Sequence, residues 1–358
     1  MNSLEKLGWT PEWKSAFATI ENEDLEPARV LEEQRDILRV GTARGELWAV
    51  TAGRLRHAAA GPEEWPAVGD WVAVEARPPS EGWSRIRAVL PRRSALLRKT
   101  AFKRTQAQVV AANLETVFCV TSLNRDFNPR RLERYLTLVW ESGARPVLLL
   151  NKADLCGDVE ARRAEAEILA MGVPVHTVSA REGDGLDTLE PHLGAGETTA
   201  VIGSSGVGKS TLINRLAGAE LLTVREIRTD DDRGRHTTTH RQLVRLPSGA
   251  LLIDTPGMRE LALWDSDAGL EQAFLDIEEV AARCRFRDCG HRGEPGCAIR
   301  AALDDGTLDA ERYASYGKLK RELAHLARRQ SERAALDTKR RWKQMTVAMR
   351  QRPRKGYR

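Results

Sequence analysis

Thr199-Ala-Val-Ile-Gly203-Ser-Ser-Gly206-Val-Gly208-Lys209-Ser210-Thr211 is an apolar run that breaks into a glycine-rich turn and resumes as a helix-forming segment. That order predicts a strand, a phosphate-binding loop and a helix opening at Lys209. Backbone N–H groups of such a turn, with the N-terminus of the helix it opens, point at phosphate oxygens. The Lys209 ammonium is expected to neutralise charge between β- and γ-phosphates, and the Ser210 hydroxyl to ligate Mg²⁺. Gly203, Ser204, Ser205, Gly206, Val207, Gly208, Lys209, Ser210 and Thr211 are the candidate phosphate-binding residues.

Three more motifs end apolar runs. Asp254-Thr-Pro-Gly257 follows Ala250–Ile253. Asp254 is expected to reach the magnesium through water, and the Gly257 N–H to bond the γ-phosphate. Asn151-Lys152-Ala153-Asp154 follows Pro146–Leu150. The Asp154 carboxylate can accept from guanine N1–H and the exocyclic amine, a donor pair adenine lacks, and a site left with unpaired polar groups rejects the wrong base. The Lys152 stem can lie on the purine face, and Asn151 can tie this loop to the phosphate loop. Ser179-Ala180, after Val173–Val178, would bring a backbone N–H to guanine O6.

These are the guanine-nucleotide motifs of a GTPase in rotated order. The usual chain starts with the phosphate loop; here the base-reading half comes first. The chain therefore leaves the nucleotide domain directly after Asp254–Gly257, and the segment that senses the terminal phosphate leads into the next domain. Between phosphate loop and Asp254 lies Arg233-Gly-Arg-His236-Thr-Thr238-Thr-His240, polar and basic, the expectation being a mobile loop. Thr238 is the candidate to complete the magnesium shell. Met258 stands where many GTPases carry a water-orienting glutamine, and a thioether cannot orient water. His236 is the candidate replacement; the alternative is an exposed histidine with no catalytic role.

The runs Thr116–Thr121, Pro146–Leu150, Val173–Val178, Thr199–Ile202 and Ala250–Asp254 read as parallel strands covered on both faces. Arg130–Ser142, Val159–Met171 and Lys209–Ala217 read as helices between them, the first capped by Asn128 with Pro129 at its first position. The pattern is a doubly wound α/β sheet. Upstream, Arg35–Val40, Leu47–Ala52, Trp71–Glu75 and Arg85–Val89 are short alternating strands broken by Gly41, Gly53, Gly69-Asp70 and Pro78-Pro79. They predict a small closed barrel, of oligonucleotide-binding type or one that only packs on its neighbour. Residues 1–28 read as a polar arm, part-helical around Glu5–Phe17.

Cys119 and Cys156 read as packing residues. Cys284-x4-Cys289-x-His291-x5-Cys297 offers three thiolates and an imidazole within one loop, a full tetrahedral set for one structural zinc. Four protein ligands leave no open position for catalysis. Helices are expected from Gly269 to Ala282 and from Ala298 to about Arg350, with Gln351–Arg358 disordered.

Net charge is +5, but Glu311–Arg358 holds sixteen Lys/Arg against four Asp/Glu, a local +12. A basic tail on an acidic body points to a polyanion, with a solvated charged helix as the plain alternative. The apolar runs are too short for a bilayer, and Met1–Trp13 lacks the apolar core of a secretory signal, so a cytoplasmic protein with no membrane contact is expected.

The sequence as a whole resembles the small ribosomal subunit-dependent, circularly permuted GTPases. The resemblance runs from Arg29 through Val68-Gly-Asp-Trp71, Asn151–Asp154, Gly203–Thr211, Gly234-Arg-His-Thr-Thr-Thr239, Asp254-Thr-Pro-Gly-Met-Arg-Glu-Leu261 and the cysteine loop. It implies a multidomain α/β protein: an arm (1–28), an OB-like β-barrel (29–95), a circularly permuted P-loop GTPase domain (96–265) and a zinc-binding helical domain with a basic tail (266–358). It further implies a protein that takes GTP and GDP, grips ribosomal RNA of the small subunit through barrel and zinc domain, and hydrolyses GTP late in subunit maturation; a monomer is expected. Turnover would be stimulated by the subunit. The rival readings are a nucleotide-gated RNA-binding module with incidental hydrolysis, and a permuted GTPase of the large subunit.

Overall fold

The computed structural model describes residues 3–20, 24–34, 36–76, 82–100, 103–124, 127–221, 241–255 and 267–328. Strand β1 (Leu25–Gln34) begins inside the stretch that reads as a polar arm. It pairs with β2 (Ile37–Thr42), which pairs with β3 (Gly45–Thr51); β4 (Trp71–Glu75) and β5 (Ser84–Val89) complete the set. The order β1–β2–β3–β5–β4 closes on itself through a β1–β4 ladder, a five-stranded barrel in which only the β3–β5 pair is parallel. Closure removes the sheet edges. Val30, Val40, Ala49, Val72, Val74 and Ile86 fill the interior. A short helix α2 follows β3, and its range is Gly53–Ala58.

β4 is buried at every position, not at alternate ones. Glu75 pairs with Arg87 of β5, and at Trp71 the cover comes from the arm. Its helix α1 (Pro11–Ala18) and the preceding turn bring Trp9 and Trp13 over Trp71, with ring centroids 4.6 and 6.3 Å away. Arg29 lies beneath, 5.0 Å from the Trp71 ring. It donates to the Leu7 carbonyl (3.2 Å), the Asn113 carbonyl (3.4 Å) and Thr198 Oγ1 (3.0 Å), so one side chain joins arm, barrel and the next sheet. Burial pushes its pKa down to about 10, still charged at neutral pH.

A hairpin, β6 (Ala95–Thr100) and β7 (Lys103–Ala112), leads out of the barrel. Then come β8 (Thr116–Ser122), α3 (Pro129–Ser142), β9 (Arg145–Asn151), α4 (Val159–Ala170), β10 (Val175–Thr177), β11 (Thr198–Gly203), α5 (Lys209–Ala217), β12 (Arg241–Arg245) and β13 (Leu251–Asp254). The sheet order is β10–β9–β8–β11–β13–β12, and all pairs but β12–β13 are parallel. As expected for strands covered on both faces, β8 and β11 are buried throughout. Asn128 Oδ1 accepts from Arg131 N (3.1 Å) at the start of α3 and Pro129 opens it, as the capping signals predict; Gly143 ends it with φ of 82°.

The two sheets are continuous. β12 pairs with the far half of β1, and Arg241 meets Glu33 at 2.8 Å across that joint. Beyond β13 come α6 (Asp267–Ala273), α7 (Leu275–Ala281), α8 (Ala298–Asp304) and a last helix α9 over residues 310–328. They pack on α3. A Cβ added at Gly269 would lie 2.6 Å from the Thr137 carbonyl oxygen, so only glycine permits that approach. Among the described residues no helix is long and apolar enough to cross a membrane.

Candidate nucleotide site and metal centre

Parallel strands put their C-terminal ends on one edge. The chain winds from β8 outward to β9 and β10, then returns past β8 to β11. Ligands of such sheets lie where the winding reverses, and here the phosphate loop leaves β11 at that point. Gly203, Gly206 and Gly208 have φ of 156°, 81° and 97°. A Cβ at Gly203 would sit 2.4 Å from the Val120 carbonyl oxygen, and one at Gly208 would sit 2.4 Å from Asn151 Nδ2. At both positions the loop runs too close to β8 and to Asn151 for any residue but glycine. Lys209 Nζ donates to the carbonyls of Gly203 (2.8 Å) and Ser204 (2.7 Å), which brings its charge back over the loop.

The motifs far apart in sequence meet here. Asn151 Nδ2 donates to the Val207 carbonyl at 2.7 Å, and its Oδ1 accepts from Ala180 N at 2.9 Å. Lys152, in a left-handed conformation with φ of 63°, sends Nζ to the Gly206 carbonyl at 2.7 Å. Ser179 Oγ donates to Asp154 Oδ1 at 2.7 Å. Asn151 thus fastens the Ala180 loop on one side and the phosphate loop on the other; the sequence suggests only the second tie. Asp154 itself is exposed.

Asp254 ends β13 beside Val201 of β11 and is buried. Burial pushes its carboxyl up from the ordinary range, and the Lys209 ammonium pulls it back. The next residue, Thr255, donates to the Val201 carbonyl at 2.6 Å. Of the other candidates, His236, Thr238, Gly257 and Met258 lie outside the described residues, as do the basic tail beyond residue 328 and the Pro78-Pro79 break. Arg131 was not foreseen. Its Nη1 donates to Ser204 Oγ at 2.8 Å from the first turn of α3. Capping signals foretell the helix, but no pattern says which neighbour a guanidinium on it reaches.

Cys284, Cys289, His291 and Cys297 converge, their ligand atoms all within 4.8 Å of one another. His291 Nδ1 lies 3.6 Å from Cys284 Sγ and 3.5 Å from Cys297 Sγ. Backbone N–H groups of Ala298 (3.3 Å) and Arg300 (3.4 Å) donate to Cys284 Sγ and Cys297 Sγ. Glu294 accepts from Gly290 N (2.9 Å) and Arg292 N (2.6 Å), bracketing His291. The four residues could hold a metal ion.

A family model described as RsgA GTPase matches residues 89–264. A model described as ABC transporter matches residues 186–352, a stretch with the phosphate loop but neither Asn151–Asp154 nor the barrel. A protein of Syntrophotalea carbinolica named "Small ribosomal subunit biogenesis GTPase RsgA" is 50% identical over 99% of this chain and 97% of its own length. The crystal structure of YjeQ from Thermotoga maritima superposes with a TM-score of 0.60 at 24% identity, covering 84% of this chain and 99% of that one. The structure of YloQ, titled a circularly permuted GTPase, does so with a TM-score of 0.58 at 23% identity, covering 86% and 97%. The fold is therefore an OB-like barrel, a circularly permuted P-loop GTPase domain and C-terminal helices that carry the cysteine–histidine cluster. Two chains half-identical from end to end share their chemistry as well as their fold: the chain belongs to the RsgA GTPase family and is a GTP hydrolase.

Proposed function

We propose that this GTPase binds the small ribosomal subunit late in its maturation, and that docking raises GTP turnover. The carrying observation is the likeness to a small-subunit biogenesis GTPase over 99% of the chain, barrel and metal loop included. Surface chemistry supports RNA as partner. Trp48 and Trp83 of the barrel are 38% and 55% exposed, and Phe286 of the metal loop is 43% exposed beneath Arg285. Exposed aromatics with arginines suit stacking on unpaired bases.

In this reading the Asp154 carboxylate, held by Ser179, reads the guanine edge, and the Ala180 segment, fixed by Asn151, presents backbone N–H to O6. The phosphate loop, Lys209, Ser210 and Asp254 bind the phosphates and Mg²⁺; the ion, when bound with GTP, draws charge off the terminal phosphate. Thr238, Gly257 and His236 enter from the sequence alone. The metal would be one structural zinc. A tetrahedron with Zn–S about 2.3 Å and Zn–N about 2.0 Å has S···N edges of roughly 3.5 Å, which the 3.5 and 3.6 Å separations match. Zinc here would hold α7 to α8 and do no chemistry. The protein would act as a cytoplasmic monomer.

The test is steady-state GTP hydrolysis with small subunits, large subunits or neither, with co-sedimentation in a GTP analogue and in GDP. Stimulation by small subunits alone, and retention only with the analogue, is expected. Equal rates in all three mixtures would overturn the reading. Stimulation by large subunits would favour the large-subunit alternative, and subunit binding without stimulation the RNA-binding module.

A further inference from the structure

The first two turns of α3 have two sets of partners. Arg131 reaches forward to Ser204 of the phosphate loop, Nη1 to Oγ at 2.8 Å. Its neighbours reach the other way, into the C-terminal helices. Arg130 pairs with Glu311 at 3.0 Å and Asp309 at 3.4 Å. Arg134 forms a two-pronged pair with Glu322 of α9 at 2.8 and 2.9 Å. Glu133 is buried and accepts from both Arg130 (2.7 Å) and Arg312 (3.2 Å). Arg312 in turn grips Asp276 at 2.7 and 2.9 Å and lies over Phe274. With Gly269 pressed against the α3 backbone, α3 and the C-terminal helices form one packed body.

Ser204 is the residue whose carbonyl also takes Lys209 Nζ, at 2.7 Å. Its hydroxyl is held by Arg131, so two cations converge on one loop residue. A shift of α3 by a fraction of an ångström changes both the grip on Ser204 and the positive potential at the loop. Charge-assisted hydrogen bonds are short and steeply dependent on geometry.

We infer that Arg131 is a positioning residue of the phosphate loop, and that through it the seating of the C-terminal helices on α3 sets nucleotide affinity. The inference rests on Gly203–Thr211 being the nucleotide site. It links the metal-bearing domain to the phosphates through α3, independently of the segments that flank Asp254.

The test uses the full-length chain and fluorescent GDP and GTP analogues. Arg131→Gln is expected to weaken binding about tenfold, as loss of a hydrogen bond to a charged group would. Arg131→Lys, which keeps the charge, should recover part of that loss, whereas a packing role would be equally damaged by both. Glu322→Gln, remote from the loop, should weaken binding about threefold in the parent and leave it unchanged in the Arg131→Gln background, the non-additivity of coupled sites. Additive effects would overturn the coupling, and parental affinity in Arg131→Gln would overturn the positioning role. Lys209→Ala is the control. If it too binds as the parent does, the nucleotide-site reading falls, and this inference with it; if it fails to bind, the Arg131 result stands on its own.

Discussion

Asn151 donates its amide N–H to the Val207 carbonyl at 2.7 Å, joining the end of β9 to the phosphate loop that leaves β11. Chain order puts that loop 56 residues later, and parallel pairing brings the two strand ends to one edge. The other end of the amide holds Ala180. Asn151→Ala removes both bonds from a buried position. At about 1 kcal/mol each, the expected loss in GDP and GTP affinity is about tenfold or more, with a lower Tm. Titration with a fluorescent nucleotide measures it, and parental affinity would show that the loops hold without this tie.

Base choice should turn on Asp154. Its Oδ1 is taken by Ser179 Oγ, which orients the carboxylate. Asp154→Asn presents a donor where guanine also has a donor, and suits the oxygen that replaces the amine in xanthine. GTP affinity should fall about a hundredfold or more, and xanthosine triphosphate should bind better than GTP. Competition between the two nucleotides decides it; unchanged preference for GTP would remove Asp154 from the site.

Much of this arrangement is readable from residue order because its signals are local. β8, β9, β11 and β13 are uninterrupted apolar runs, α3 carries its own caps, and the metal ligands sit in one loop. The parts that escaped depend on partners far away. β1 contains Pro27, Arg29 and three acids and does not read as a strand, its first four residues falling in the polar arm; buried Arg29 is satisfied by acceptors on Leu7, Asn113 and Thr198. β12, Arg241-Gln-Leu-Val-Arg245, is too short and charged to announce a strand, and its charge is answered by Glu33. The Arg131–Ser204 contact spans 73 residues, and hydrophobic periodicity carries no record of it.

The cysteine cluster should bind about one zinc per chain by elemental analysis, with local consequences. Cys289→Ser or chelation should lower the unfolding temperature of the C-terminal helices, where Cys284, Cys289 and Cys297 pack into the core with Ile299 and Tyr313. Nucleotide affinity should change by about threefold at most, the size expected from loosening α9 on α3. Metal-free protein with unchanged unfolding would exclude a structural metal; abolished nucleotide binding would show the cluster is not local.

His176 on β10 and His192, before β11, bring their Nε2 atoms within 2.9 Å. One ring must donate and the other accept, so both cannot be protonated in that geometry. Burial lowers the pKa of each. Repulsion from His192 and then Arg163 adds to it at His176, and repulsion from Arg145 at His192. The unfolded chain therefore binds more protons than the folded one below about pH 6.5, the ordinary histidine value, and stability rises with pH through that window. The contribution is complete above about pH 6.5 and is lost as pH falls through the depressed folded values. The Tm of the parent should accordingly fall as pH drops below about 6.5. His192→Gln leaves one ring with a neutral partner and should flatten that slope. Tm measured in steps across the window tests it, and parallel curves for parent and variant would mean the pair does not govern the acid limb.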